Sequence, residues 1–136
     1  MLVQRVEYRA NLTRITVMSS DTEIMGMKPN TFCMLLHLSQ LASFIIPLSG
    51  LVIPIVMWVI AKDKSAEADQ HGKIVLNWII SVFIYAVVTG LLCVIVIGFF
   101  LLPVLAVVAI AFPIIGALKA NNGDAWKYPL SITFFK

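Results

Sequence analysis

Polar side chains recur every four residues along an otherwise apolar stretch in the middle of the sequence. They are Lys73, Asn77, Ser81, Tyr85, Thr89 and Cys93. Four residues advance a helix about 40° past one full turn, so these side chains would form a stripe that winds slowly around the helix. Inside a membrane, such a stripe either hydrogen-bonds to neighbouring helices or lines a polar pathway. The candidate polar seam consists of Lys73, Asn77, Ser81, Tyr85 and Thr89.

A second polar group lies on an earlier apolar segment. Cys33 and His37 are four residues apart, and Gln40 continues the same face. Cysteine and histidine at this spacing could bind a metal, but a structural zinc site needs a second pair of ligands. We therefore predict no metal and no cofactor. His37 and Gln40 are instead predicted to hydrogen-bond at a helix interface.

The sequence lacks the motifs of common enzyme classes. It contains no nucleophile elbow, no phosphate-binding glycine loop and no zinc-protease helix. The acidic residues Asp63, Glu67 and Asp69, close to His71, do not have the spacing of a calcium loop and are interpreted as part of a solvated loop. We predict that the protein is not an enzyme.

The composition indicates an integral membrane protein. Of 136 residues, 60% are hydrophobic and 12% are charged, and the mean hydropathy is +0.97. Soluble domains have roughly 45–50% apolar and about 25% charged residues. The net charge of +3 fits Lys and Arg retained on the cytoplasmic side of a membrane. No basic cluster with interleaved aromatic residues is present, so we predict no nucleic-acid partner.

Two long uncharged gaps define the membrane elements. The second gap has 45 residues, between Lys73 and Lys119, and fits two spans of about 20 residues each. The first has 33 residues, between Lys28 and Lys62, and is too long for one span and short for two. Because Pro47 lies in its middle and proline interrupts a helix, we predict a short helical hairpin there. One long kinked span is the alternative.

These elements predict an all-α integral membrane bundle of four membrane-embedded segments, the first two forming the hairpin. The chain divides into a polar N-terminal tail, 1–30, expected to be disordered; a membrane helical domain, 31–120; and an interfacial C-terminal tail, 121–136. Helices are predicted at about 31–46, 51–61, 70–97 and 101–119. Translation could start at Met1 or at Met18.

The hairpin also predicts the orientation. It places all ten Lys and Arg residues on one side of the membrane, which the positive-inside rule makes the cytoplasmic side. Both termini are then cytoplasmic. We expect the partners to be the lipid bilayer and either further copies of the chain or another membrane protein.

Several segments carry a resemblance to a known family. They are His37 to Gln40, the break from Pro47 to Pro54, Trp58 to Asp63, the string Asp69, His71, Gly72, Lys73 with Asn77, and Tyr128 to Leu130. The chain resembles a family of small uncharacterised bacterial multi-pass membrane proteins that is grouped with the channel component of the chloroplast inner-envelope protein-import translocon. The resemblance implies a four-helix bundle in the bacterial inner membrane, with Asp69, His71, Gly72 and Lys73 as a family-like loop motif and no catalytic residues.

Two functions follow as hypotheses. The first is a channel-like or translocon-like component in which the polar seam lines a path. The alternative is a structural or regulatory subunit of a larger membrane complex, which presents the loop 62–73 to the cytoplasm.

Overall fold

The computed structural model describes the backbone of residues 1–20 and 23–136, and the side chains of residues 1–14 and 23–136. The described part contains five α-helices and one 3₁₀ helix. They are α1 (Leu2–Ser20), α2 (Pro29–Leu38), the 3₁₀ helix (Ser39–Phe44), α3 (Ser49–Ala61), α4 (Ala66–Cys93) and α5 (Ile97–Asn121). The prediction of an all-α fold is confirmed.

The N-terminal segment differs from the expected disordered tail. Residues Leu2–Ser20 form α1, a segment without proline or glycine, so its local backbone hydrogen bonds are not interrupted. A tight turn follows, in which Ile24 and Met27 exchange backbone hydrogen bonds of 2.9 and 3.1 Å. Ile24 is fully buried, so the end of this segment belongs to the core.

The first apolar run is broken into short pieces. Its helical conformation changes to 3₁₀ at Ser39 and stops before Leu48, whose φ of 67° is left-handed. α3 then packs back against the 3₁₀ helix, and the amide of Gly50 donates to Ser43 Oγ at 2.9 Å. Gly50 lies so close to the backbone carbonyl of Gln40 that a Cβ atom would collide with it. The chain therefore reverses here instead of continuing as one kinked helix.

α4 begins at a side-chain cap. Ser65 Oγ accepts a hydrogen bond from the amide of Ala68 at 3.2 Å, which satisfies one of the free amides at the helix start. Asp69 lies inside the first turns of α4. The cap places the start of α4 at Ala66, four residues before the predicted position.

A tight turn joins α4 to α5. Val96 there has a φ of 71°, and Gly98 packs against the backbone of Thr89 and Cys93 with no room for a side chain. α5 begins at Ile97 and continues through Pro103 and Pro113, where missing amide donors are tolerated in apolar helices with nearby packing partners.

Only two of the described helices are long and apolar enough to cross a membrane. α4 has 28 residues with a mean hydropathy of 2.2 in its most apolar window, and α5 has 25 residues with 2.7. α3 is apolar but has only 13 residues, about 20 Å at 1.5 Å per residue, against a hydrocarbon core of about 30 Å. The expectation of four membrane-embedded segments is not supported, because the break near Pro47 leaves two pieces that are each too short to span.

One end of the bundle, which we call the base, gathers the ends of several elements. A buried apolar cluster there consists of Ile24, Phe32, Cys33, Ala61, Ala68 and Ala120. These residues come from the segment before α2, the start of α2, the end of α3, the start of α4 and the end of α5. From residue 23 onward, every charged residue falls in 23–28, 62–73 or 119–136. The base is therefore the charged end of the protein, and the α4–α5 turn is the uncharged end.

Candidate functional site

The polar seam of α4 binds the C-terminal tail. Tyr85 Oη donates to the carbonyl of Leu130 at 2.6 Å. Ser81 Oγ accepts from the amide of Ile132 at 2.7 Å and donates to the carbonyl of Asn77 at 2.7 Å. The tail thus runs back along α4 towards the base, in the direction opposite to the helix.

Asn77 makes the densest contact with the tail. Its Oδ1 accepts from the amides of Phe134 and Phe135 at 2.9 and 2.7 Å. Its Nδ2 donates to the carbonyl of Phe135 at 2.9 Å. One buried amide side chain therefore binds three backbone groups of the tail, which leaves one donor hydrogen of its four hydrogen-bonding positions.

The two ends of the seam have different surroundings. Lys73 forms an ion pair with Asp69 at 2.6 Å, the pairing expected for residues four apart on a helix. Thr89 is buried beside the α4–α5 turn, where its backbone contacts Gly98. Only the middle of the seam, from Asn77 to Tyr85, is occupied by the tail.

A buried hydrogen-bonded chain lies beside this docked tail. His37 Nδ1 contacts Tyr128 Oη at 2.5 Å, and His37 Nε2 contacts His71 Nδ1 at 3.0 Å. Gln40 Nε2 donates to Tyr128 Oη at 3.1 Å and to the carbonyl of His37 at 3.2 Å. His37 is 0% exposed and Tyr128 is 2% exposed, so α2, α4 and the tail meet here without solvent between them.

One arrangement of protons satisfies all these contacts. Gln40 donates to Tyr128 Oη, the Tyr128 hydroxyl donates to His37 Nδ1, and His37 Nε2–H donates to His71 Nδ1. Both histidines are then neutral. Neutrality matters because an imidazolium without a paired anion is costly to bury. Each of these contacts then has one donor and one acceptor, and the donors follow one order, from Gln40 through Tyr128 and His37 to His71.

Burial favours the neutral forms of the side chains in this hydrogen-bonded series. Desolvation, and next the neighbouring His71, lower the pKa of His37 to about 3. Desolvation raises the pKa of Tyr128 above its usual value. Cys33 lies apart from this chain in the apolar cluster of the base, where burial raises the pKa of its thiol to about 12. No group of three or more metal-ligating side chains occurs among the described residues.

The buried neutral His37 predicts pH-dependent stability. Between the unfolded value of 6.5 and the folded value of about 3, the unfolded chain binds a proton that the folded chain does not. The free energy of unfolding therefore falls with decreasing pH in this window, by up to about 1.4 kcal/mol per pH unit. Thermal unfolding in detergent should show a lower midpoint at about pH 5 than at about pH 7.5, and His37→Gln should flatten this dependence. An equal pH dependence in His37→Gln would assign it to other groups.

The loop motif positions α4 against α3. Asp69 Oδ1 accepts a hydrogen bond from Trp58 Nε1 at 3.0 Å, while Gly72 packs directly against the Trp58 indole, where a Cβ atom would collide with the ring. His71 joins the buried chain and Lys73 pairs with Asp69. Each residue of the motif thus has a packing or pairing role.

The sequence does not predict the contacts of Tyr128 or the docking of the tail, because residues 121–136 are expected at the membrane interface. The Tyr128 ring lies edge-on to Trp78, with centroids 5.1 Å apart. A usable signal is present: Leu130, Ile132 and Phe134 alternate with polar Ser131 and Thr133, a pattern typical of an extended segment. The backbone amides and carbonyls of such a segment can hydrogen-bond to the polar side chains of the seam on α4.

A family model matches the chain over residues 28–135, and its family is described as the magnetosome magnetite crystal formation protein family. No curated protein and no solved structure matches the chain. The resemblance to a chloroplast translocon channel component is wrong, because the matched family is a different one and covers all the segments on which that resemblance rested. The match extends from the start of α2 through α5 and the docked tail. The chain belongs to the magnetosome magnetite crystal formation protein family.

Proposed function

We propose that the chain is a non-enzymatic structural protein of the magnetosome membrane, with α4 and α5 crossing the bilayer. The observation that carries this proposal is that the seam holds the chain's own tail. Asn77, Ser81 and Tyr85 all hydrogen-bond to backbone groups of that tail. Polar groups that are used in this way stabilise a folded bundle instead of lining an open path.

The distribution of charge supports a cytoplasmic base. The segments 23–28, 62–73 and 119–136 contain all the charged residues from position 23 onward, and seven of these residues are lysines. The positive-inside rule places such an end in the cytoplasm. The far side of the membrane then receives only the uncharged turn around Val96. In this proposal the protein affects crystal growth by binding partner proteins, or further copies of the chain, at the base.

We also propose that α3 lies within the cytoplasmic leaflet without crossing the membrane. Its side chains Val52, Val56 and Val59 are exposed in the isolated chain, and its end at Ala61 is anchored in the base cluster. An exposed apolar face on a short helix is stable where lipid covers it. In this arrangement α3 is embedded from one side only.

The loop that joins α3 to α4 is the surface most suited to a partner. Asp63 and Lys64 are exposed there, and they project from the base between two anchored helix ends. The test replaces both residues with serine, which keeps the net charge, in cells whose own copy of the gene is exchanged for the variant. We expect the crystal diameter, measured by electron microscopy, to fall to that of a strain lacking the protein, while the amount of protein in the membrane stays unchanged.

The matched control is Arg5→Ser with Glu7→Ser. These residues are exposed on α1 and precede the matched family region, so crystals of normal diameter are expected. Normal crystals with the Asp63→Ser, Lys64→Ser variant would contradict the proposal.

A further inference from the structure

A cavity of about 410 Å³ lies between the first turns of α4 and the docked tail. α4 contributes Lys73 and Asn77, and the tail contributes Lys127, Thr133 and Lys136. Its size falls in the range of about 300–1,000 Å³ that is typical of small-ligand pockets. Both α4 and the docked tail form its walls, so its shape depends on the docking of the tail.

The cavity is lined by three lysines, one from α4 and two from the tail. Lys73 is paired with Asp69, whereas Lys127 and Lys136 make no ion pair within the described residues. No acidic side chain lines the cavity in the part of the chain that the structure describes. Ammonium groups with neighbouring hydroxyls offer only donors and weak acceptors to a ligand, the chemistry that binds phosphate oxygens.

The position of the cavity along α4 corresponds to the level of lipid headgroups. α4 has 28 residues, about 42 Å, so it is longer than a hydrocarbon core of about 30 Å. Its last charged residue is Lys73, and the uncharged part from Ile74 to Cys93 is about 30 Å long. Lys73 therefore lies at the boundary of the hydrocarbon, where lipid phosphates are found. Ile74 and Phe135 give the cavity an apolar wall beside that boundary.

We propose that this cavity binds a phosphate group, supplied by an anionic lipid headgroup or by free phosphate. Lys127 and Lys136 hold the phosphate oxygens, with Lys73 completing the positive wall. The site rests on the proposal that α4 crosses the bilayer, but it lies apart from the partner surface proposed at Asp63 and Lys64, neither of which lines the cavity.

The test measures lipid binding to the full chain in nanodiscs of phosphatidylcholine, by native mass spectrometry, as phosphatidylglycerol is titrated in. The variant is Lys127→Gln with Lys136→Gln, both exposed. We expect it to lose about 30-fold in affinity for phosphatidylglycerol, from two surface lysines facing an anionic lipid. The matched control, Lys62→Gln with Lys64→Gln, removes two lysines from the same end of the protein but outside the cavity. At physiological salt it should change the affinity by less than about 3-fold, because these lysines do not contact the bound headgroup and their longer-range attraction is screened.

A second arm uses inorganic phosphate as the probe with protein in zwitterionic detergent. Phosphate binding that the cavity variant abolishes, without a preference for phosphatidylglycerol, would support the site and identify free phosphate as the source. Equal loss of lipid binding in the cavity and control variants would overturn the proposal, because the effect would then be general charge attraction to the membrane. Equal retention of phosphatidylcholine and phosphatidylglycerol, together with no binding of inorganic phosphate in the second arm, would also overturn it.

Discussion

Replacement of Gly116 by alanine is expected to destabilise the protein strongly. A Cβ atom at this position would lie 2.6 Å from His37 Nδ1 and 2.7 Å from Tyr128 Oη, within a contact that excludes solvent. The added methyl group must displace the two rings that connect α2 to the tail. Overpacking of a core costs about 1–3 kcal/mol, and separation of the buried hydrogen-bonding groups adds about 1–3 kcal/mol. The midpoint of thermal unfolding in detergent should fall accordingly.

The matched control is Gly90→Ala on α4. A Cβ atom there meets nothing within 4 Å, and alanine favours a helix over glycine by about 1 kcal/mol. Gly90→Ala should therefore leave the unfolding midpoint unchanged or raise it. If Gly116→Ala also left the midpoint unchanged, the close packing of α5 against His37 and Tyr128 would be wrong.

Replacement of Asn77 by leucine is expected to release the C-terminal tail. Leucine fills a similar volume but removes all three hydrogen bonds to Phe134 and Phe135. Each bond contributes about 0.5–1.5 kcal/mol net, so the loss totals roughly 2–4 kcal/mol, enough to release the end of the tail at Phe134 and Phe135. Chymotrypsin should cleave after the tail phenylalanines much faster in Asn77→Leu than in the unmodified chain.

Two variants calibrate this effect. Tyr85→Phe removes a single hydrogen bond, to Leu130, and should increase cleavage less than Asn77→Leu does. Asn11→Leu changes an exposed residue of α1 in the same chemical way and should leave tail cleavage unchanged. If Asn77→Leu and Asn11→Leu were cleaved at the same rate, Asn77 would not hold the tail.

The sequence predicts those features that depend on residues close together along the chain. The uncharged stretch between Lys73 and Lys119 is long enough for two spans, and the structure has α4 and α5 there. The turn between them, at Val96, comes a few residues earlier than the expected break between 97 and 101. The break near Pro47 is also predicted, because proline interrupts a helix. The ion pair of Asp69 with Lys73 follows from their spacing alone.

The docked tail was harder to predict because it depends on contacts between distant residues. Asn77 and Phe135 are 58 positions apart, and His37 and Tyr128 are 91 apart. The four-residue spacing predicts a polar stripe on α4. The same spacing is expected whether the stripe binds a helix, a tail or water, so it does not identify the partner. The identity of the partner follows from the tertiary fold.

The resemblance to the wrong family has a related physical reason. The string Asp69, His71, Gly72 and Lys73 was the most specific part of that resemblance, and the structure gives each residue a packing or pairing role. Gly72, for example, admits the Trp58 indole between α3 and α4. Such a motif determines how α3 and α4 pack together, and it does not specify an activity.

The central claim is that the polar stripe of α4 binds the tail of the same chain. Residue-resolved amide hydrogen exchange on the unmodified protein in nanodiscs tests it most directly, since the amides of Ile132, Phe134 and Phe135 donate to α4 side chains. We predict that these three amides exchange slowly and that Asn77→Leu releases the protection at Phe134 and Phe135. Exchange of all three at the rate of an unstructured peptide in the unmodified protein would contradict the account.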